Sequence, residues 1–169
     1  MRNKLPAATL FTLACSIGAA QTAEPVCTVS FLKGSVTESG NRPVTVFYVT
    51  DGARLGPAVD GVCRLLSGTK GSQTECATVA VDVADRTAFL TPTARSGLET
   101  GGPSAGGRAA ELVECLEKTV KPEVKRRLEG RAVTHVLMGH SFGGLFALSM
   151  MASRPALFDA WVAADPSLW

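Results

Sequence analysis

Apolar residues along the chain fall into runs and spacings that predict strands and helices in alternation. Residues 43–49 and 77–83 are almost continuously apolar and rich in β-branched residues, which is typical of strands buried on both faces. Between them, Asp51 and Gly52 indicate a turn, and residues 57–66 have apolar positions at helical spacing, with Pro57 suited to a first turn. A strand, a helix and a strand in this order indicate a parallel sheet.

The alternation continues after a long polar stretch. Residues 91–107 hold two prolines and five glycines and predict either a functional loop or a disordered surface segment. A helix is predicted from Ala109 to about Lys121, with Pro122 kinking or restarting it. The remaining predicted elements are strands at residues 26–36, 133–138 and 158–164 and an apolar helix at about 143–152. The pattern therefore predicts an α/β domain with a mostly parallel sheet and flanking helices.

The first twenty residues have a different character and indicate an export signal. Arg2 and Lys4 precede an apolar stretch at residues 5–17, and small residues at 18–20 form a cleavage site. A membrane anchor is the alternative, but a helix that spans the bilayer needs about 20 apolar residues and this stretch is shorter. We therefore expect residues 1–20 to be removed on export to the periplasm or the medium, leaving residues 21–169 with no stable membrane anchor.

Composition and charge exclude several classes of function. The 169 residues are 46% hydrophobic and 19% charged, as in an ordinary globular domain. The formal net charge is +2 and falls to zero once Arg2 and Lys4 are removed, so no basic surface for nucleic acid is predicted. No cysteine lies in a C-x-x-C arrangement, and neither a metal nor a cofactor is predicted.

Four cysteines remain after the predicted cleavage, in a compartment where disulfides can persist, and they allow three complete pairings. Cys63 and Cys76 flank a turn-rich stretch between a helix and a strand. We predict a disulfide between them, worth about 3 kcal/mol in the chain-entropy model. The other two are Cys27 and Cys115, and for Cys115, which lies in a helical pattern, a buried thiol is the alternative.

The motif that carries chemistry is GHSFG at residues 139–143, which fits G-x-S-x-G. In this motif the serine, here Ser141, lies on a sharp strand-to-helix turn that exposes its hydroxyl above the sheet, and glycines are needed because strand and helix approach closely. The pattern alone is common, but here it follows an apolar strand and begins a largely apolar helix. This context favours a nucleophilic serine over a glycine-rich turn with an incidental serine.

A nucleophilic serine also needs hydrogen-bond donors for the oxyanion. In this geometry one donor is the backbone N–H of the residue that follows the serine, Phe142. The other comes from the loop after an earlier central strand. The turn that contains Asp51, Gly52 and Ala53 is the strongest candidate for it.

The segments TVFYVTDGARL, GHSFGGLFAL and DPSLW together resemble the siderophore-esterase and esterase D-like branch of the α/β-hydrolases, and more distantly the mycobacterial mycolyltransferases. The resemblance covers most of residues 40–169. It implies that Ser141 is the nucleophile and that the amides of Phe142 and Ala53 bind the oxyanion, with Gly52 as the alternative to Ala53. It also implies a siderophore lactone or a small carboxylic ester as substrate. Asp165 departs from the family, in which a small residue is expected there.

No residue of the chain is predicted to act as the catalytic histidine. In α/β-hydrolases that histidine comes last in chain order, after the acid. His140 adjoins Ser141 with its ring expected to point away, and His135 starts about 20 Å from the serine at roughly 3.3 Å per strand residue. We therefore expect both to be packing residues, with the acid and the histidine located beyond Trp169 and the sheet incomplete at the C-terminus.

Three aspartates near predicted strand ends are assigned structural roles. Asp165 has no histidine to orient, so a turn or cap role is expected. Asp82 and Asp85 indicate loop-end chemistry, and no paired-carboxylate mechanism is predicted.

Three functions fit these residues. The first is an exported serine ester hydrolase, represented by its amino-terminal portion, that acts on a small-molecule ester through an acyl-enzyme on Ser141 and is inactive as the 169-residue chain. The second is a noncatalytic remnant or binding module with the same fold. The third is acyl transfer to an alcohol, which uses the same nucleophile.

Overall fold

The computed structural model describes residues 12–15, 25–32, 34, 36–37, 40–69, 71–73, 75–95, 105–128 and 130–168. The strands are β1 Thr12–Cys15, β2 Cys27–Leu32, β3 Val44–Thr50, β4 Glu75–Val83, β5 Ala94–Arg95, β6 Ala105–Gly106, β7 Val133–His140 and β8 Ala160–Ala164. The helices are α1 Gly52–Ser67, α2 Arg86–Leu90, α3 Ala109–Cys115, α4 Lys121–Arg127 and α5 Phe142–Ser153, with a π-helical turn at Leu116–Val120 between α3 and α4.

Six strands form one sheet in the order β1-β2-β4-β3-β7-β8. The four strands β4, β3, β7 and β8 run parallel, and β1 and β2 add an antiparallel edge. The predicted α/β fold with a mostly parallel sheet is therefore confirmed. Because β3 and β7 are neighbours, the turns that follow their carboxyl ends, at Asp51 and Ser141, lie side by side. Among the described residues β8 pairs only with β7 and forms the other edge.

The first helix begins earlier than the sequence predicts. Asp51 adopts a left-handed conformation (φ 55°, ψ 46°) and leads directly into α1 at Gly52. Pro57 consequently lies inside the helix, so its placement in a first turn was wrong. The early start requires glycine, because a Cβ on Gly52 would lie 2.4 Å from the backbone nitrogen of Val81 on β4. Tertiary packing, which the local pattern does not contain, thus sets the beginning of this helix.

The restart predicted at Pro122 takes the form of a widened helical turn. Proline has no N–H to donate within a helix, and its ring crowds the preceding turn. In the structure, the N–H of Lys121 bonds to the carbonyl of Leu116, one residue further back than in an α-helix. The apolar stripe passes through this turn without interruption, since Leu116, Val120 and Val124 are all buried.

The structure bears only in part on two other predictions, the loop at residues 91–107 and the export signal. The described ends of the predicted loop at 91–107 pair as the two-residue strands β5 and β6, and its middle lies outside the described residues. Strand β1 falls within the predicted export signal and pairs with β2, so signal cleavage would remove it from the sheet. The export signal stays a prediction. Within the described ranges, no helix is long and apolar enough to cross a membrane.

The predicted disulfide is confirmed, because Cys63 of α1 and Cys76 of β4 are bonded, with their Cα atoms 5.3 Å apart. The other two cysteines also lie together. The sulfur atoms of Cys27 on β2 and Cys115 on α3 are 2.7 Å apart, and both residues are buried. The hydrogen bond between them lowers the pKa of the Cys27 thiol, although burial opposes that shift.

We predict that oxidised glutathione converts Cys27 and Cys115 into a second disulfide. Because both thiols are buried in the folded chain, the exchange takes place during refolding in the presence of glutathione. A thiolate at Cys27 attacks the glutathione disulfide, and Cys115 then displaces glutathione, so two protein thiols are oxidised while one glutathione disulfide becomes two thiols. Mass mapping of a non-reduced digest should find the two cysteine peptides linked. Cys27→Ser is the control, in which the link should be absent. Recovery of both residues as alkylated thiols after oxidation would contradict the prediction.

Candidate active site

The G-x-S-x-G segment forms the sharp turn that its sequence predicts. Strand β7 ends at His140, α5 begins at Phe142, and Ser141 between them has φ 57° and ψ −117°. A Cβ on Gly139 would lie 2.2 Å from the carbonyl carbon of Gly143, and a Cβ on Gly143 would lie 2.0 Å from the hydroxyl oxygen of Thr50. Both glycines are therefore required by the packing of strand, turn and helix.

Ser141 is held by contacts to the segment that follows β8. Its N–H donates to the carbonyl of Ala164 at 3.1 Å, and its own carbonyl accepts from the N–H of Ser167 at 3.2 Å. Its hydroxyl oxygen lies 3.0 Å from the hydroxyl oxygen of Ser167, which is buried. Ser167 was not among the predicted site residues, although it lies in the DPSLW segment that carries part of the family resemblance.

The residues predicted to bind the oxyanion are at the starts of two helices near the serine. Phe142 is the first residue of α5, so its amide is at the positive end of the helix. Ala53 is the second residue of α1 and lines a pocket of about 440 Å³ together with Ser141. The N–H of Ala53, however, donates to the carboxylate of Asp82, at 2.9 Å from each oxygen. The structure thus brings the predicted residues together, but the amide of Ala53 is hydrogen-bonded to the carboxylate of Asp82.

Charged side chains surround this pocket. Arg86 makes a bidentate ion pair with Asp51, with distances of 2.5 Å and 3.0 Å. The same guanidinium lies 5.7 Å from the centre of the Phe142 ring, so Arg86 contacts the turns after both β3 and β7. Arg54 is more exposed and reaches Asp51 only at 4.0 Å. These contacts balance the charge of Asp51 and leave that of Asp82 without a salt bridge among the described residues.

Neither histidine bonds to Ser141 in the part of the chain that the structure describes. The ring of His140 faces Arg54, 3.4 Å from Nδ1, and Asp165, 4.0 Å from Nε2. The ring of His135 bonds to the hydroxyl of Tyr48 at 2.9 Å, near the opposite end of β7. Burial and the nearby Lys121 lower the pKa of His135. His135 therefore fits the packing role predicted for it, whereas His140 has a partly exposed ring and lines the pocket of Ser141, so its assignment as a packing residue was wrong.

The three aspartates differ in their roles. Asp165 has a positive φ of 44° and an exposed side chain, as expected of a turn. Asp85 caps α2 by accepting the N–H of Ala88 at 2.9 Å, which confirms its loop-end assignment. The assignment of Asp82 was wrong, because it lies within β4 and its carboxylate faces the serine pocket. Strand alternation alone does not reveal that an amide of α1 approaches this position. The described residues contain no cluster of side chains suited to a metal ion.

The sequence is similar to those of known proteins that are named as siderophore esterases. The chain is 29% identical over 152 residues to the siderophore enterobactin esterase of Emericella nidulans, covering 79% of this chain and 50% of that protein. It is 33% identical over 85 residues to the ferri-bacillibactin esterase of Bacillus subtilis, covering 47% of this chain and 29% of that protein. The chain thus spans about half the length of the curated relatives it matches, or less.

Solved structures share the fold. The siderophore hydrolase EstA from Aspergillus nidulans superimposes with a TM-score of 0.78 at 24% identity, covering 100% of this chain and 61% of that one. The siderophore hydrolase EstB from the same organism gives a TM-score of 0.74 at 25% identity, covering 100% of this chain and 59% of that one. The family model described as "Putative esterase" matches residues 26–169. The chain therefore belongs to this esterase family, whose fold is of the α/β-hydrolase type.

Proposed function

We propose that the chain is the nucleophile-bearing portion of a serine hydrolase that cleaves a small-molecule carboxylic ester or siderophore lactone. The observation that carries the proposal is the backbone of Ser141, which has φ 57° and ψ −117° between β7 and α5. Two further features support the proposal: Ser141 lines a pocket together with Ala53 near the start of α1, and Phe142 begins α5 directly after the serine. The names of the relatives support the substrate class, since they are esterases of siderophores.

In the proposed reaction, the hydroxyl oxygen of Ser141 attacks the ester carbonyl carbon, and the carbonyl oxygen becomes an oxyanion. The amides of Phe142 and Ala53 are the donors for that charge. Collapse of the tetrahedral intermediate expels the alcohol and leaves an acyl-enzyme, which water hydrolyses to the carboxylic acid. The reaction uses no metal or cofactor.

The proton of Ser141 needs an acceptor, and we assign that role to a histidine encoded after residue 169, oriented by an acid there. His140 and His135 are engaged with other groups. Two features support the assignment. The histidine follows the nucleophile and the acid in α/β-hydrolases. The relatives are also much longer than this chain.

The test compares the 169-residue chain with the extended protein, meaning the same chain continued through its downstream coding sequence. We expect the extended protein to release nitrophenol from p-nitrophenyl butyrate and to hydrolyse a tricatecholate trilactone. The 169-residue chain should show negligible turnover, because a partial site retains only about 10³- to 10⁴-fold acceleration over water. Efficient turnover by the 169-residue chain, or none by the extended protein, would contradict the proposal.

A further inference from the structure

The carboxylate of Asp82 accepts a hydrogen bond from the backbone amide that the proposed reaction assigns to the oxyanion. Both carboxylate oxygens lie 2.9 Å from the amide nitrogen of Ala53, where the proposed reaction places the oxyanion of the substrate. A carboxylate is an anion with oxygen acceptors, so it occupies that donor as the oxyanion would. Asp82 and Ser141 line the same pocket, which puts this anion close to the reacting hydroxyl.

The surrounding cations do not neutralise Asp82. Arg86 makes a bidentate ion pair with Asp51. Arg54 lies 4.0 Å from the carboxylate of Asp51 and 3.4 Å from the ring of His140. Within the described residues, the Asp82 carboxylate forms no salt bridge, and the two arginines of the pocket both pair with Asp51. Among the described residues the hydrogen bond of Asp82 is the one from the Ala53 amide, and that contact lies at a solvent-exposed position.

We propose that Asp82 is an internal competitor for the oxyanion hole, a group that the ester must displace before Ala53 can stabilise the transition state. The inference rests on the proposed function. Displacement makes the Ala53 amide available to the oxyanion, and it separates the carboxylate from a developing negative charge that it would repel. Asp82 therefore lowers the rate of the chemical step and makes it dependent on substrates whose other contacts drive the carboxylate aside.

The test uses the extended protein with Asp82→Ala and Asp82→Asn. Loss of one oxyanion donor typically costs about 10²- to 10³-fold in kcat, so removing a competitor for such a donor should raise kcat/KM for p-nitrophenyl butyrate about tenfold in Asp82→Ala. Asp82→Asn keeps the shape and an acceptor but removes the charge, and should give a smaller increase. The gain should appear in kcat, with KM little changed.

A second readout separates this role from a structural one. Phenylboronic acid forms a tetrahedral, negatively charged adduct with an active-site serine, so its inhibition constant should fall about tenfold in Asp82→Ala, in parallel with the rise in kcat. Asp85→Asn is the matched control, because Asp85 also accepts one backbone amide but lies outside the pocket. We expect both measurements to be unchanged in that variant.

The outcomes distinguish the inference from the proposed function. If the unmodified extended protein hydrolyses the ester and either Asp82 variant is equally active or less active, the inference is wrong and the proposed function stands. That result would mean that Asp82 positions the Ala53 turn. If the unmodified extended protein neither hydrolyses esters nor binds the boronic acid, the proposed function fails and the inference fails with it.

Discussion

Ser141→Ala is expected to lower kcat/KM of the extended protein for p-nitrophenyl butyrate by roughly 10⁴- to 10⁶-fold. The substitution removes the only atom that forms the acyl-enzyme in the proposed reaction, and the oxyanion donors alone retain a small part of the acceleration. The fold should tolerate it, because the backbone contacts of Ser141 to Ala164 and Ser167 do not use its side chain. Initial rates of nitrophenol release, compared at equal concentrations of folded protein, measure the effect.

Ser153→Ala is the matched control for that experiment. Ser153 is the last residue of α5, and its hydroxyl donates to the carbonyl of Ser149 at 2.7 Å, away from the pocket of Ser141. We expect its kcat/KM to be unchanged. A loss of activity in Ser153→Ala that matches the loss in Ser141→Ala would show that the effect comes from the helix and not from the nucleophile.

The second large effect concerns a buried carboxylate at the other end of the sheet. Glu75 begins β4 with a fully buried side chain and accepts hydrogen bonds from Arg131 at 2.6 Å, from Arg42 at 2.8 Å and from the hydroxyl of Thr37 at 2.9 Å. Arg131 also donates to the carbonyl of Arg42. Glu75 therefore links the segment before β3, the start of β4 and the segment before β7.

We expect Glu75→Gln to lower the free energy of unfolding by about 3 to 5 kcal/mol, because it leaves the mostly buried guanidinium of Arg131 without its counter-charge. Urea titration at pH 7, followed by circular dichroism, measures the change. Glu123→Gln is the matched control. Glu123 also pairs with two arginines, Arg126 and Arg127, but at a more exposed site, so its substitution should cost less than about 1 kcal/mol. Equal effects of the two substitutions would contradict the prediction.

The carboxylate of Glu75 also makes the free energy of unfolding depend on pH. Burial opposes ionisation of Glu75, but hydrogen bonds from Arg131, Thr37 and Arg42 outweigh it and hold its pKa at about 2, below the ordinary value of 4.5. The unfolded chain therefore binds this proton at a higher pH than the folded chain does. The stabilisation by Glu75 is fully present above about pH 4.5 and is lost as the pH falls toward 2. The difference between the unmodified chain and Glu75→Gln should shrink over that range.

The sequence predicted the parts of the fold that depend on local pattern. Most residues of β3 and β4 are buried, and β7 is buried at its centre, at Val136 and Leu137, so their apolar runs identify them directly. The turn at Ser141 is local at Gly139, which faces Gly143 within the motif, whereas Gly143 is required by Thr50 on the neighbouring strand β3. The disulfide between Cys63 and Cys76 closes a short loop and was predictable for the same reason.

The features that the sequence did not predict depend on contacts between distant segments. The early start of α1 follows from the packing of Gly52 against β4, about 30 residues later in the chain. Asp82 meets Ala53, and Ser167 meets Ser141, across separations of 29 and 26 residues. Nothing in the sequence near each residue indicates its partner, because the register of parallel strands determines which side chains meet at their carboxyl ends.

Covalent labelling with a fluorophosphonate tests the central claim most directly, because the reagent reacts with an activated serine and leaves a stable adduct. The extended protein is treated, digested and mapped by mass spectrometry, with Ser141→Ala treated in parallel. We expect one adduct, on the peptide that contains Ser141, which is absent from the variant and forms at the rate at which ester hydrolysis is lost. An adduct on another residue, or hydrolysis that persists with Ser141 unlabelled, would contradict it.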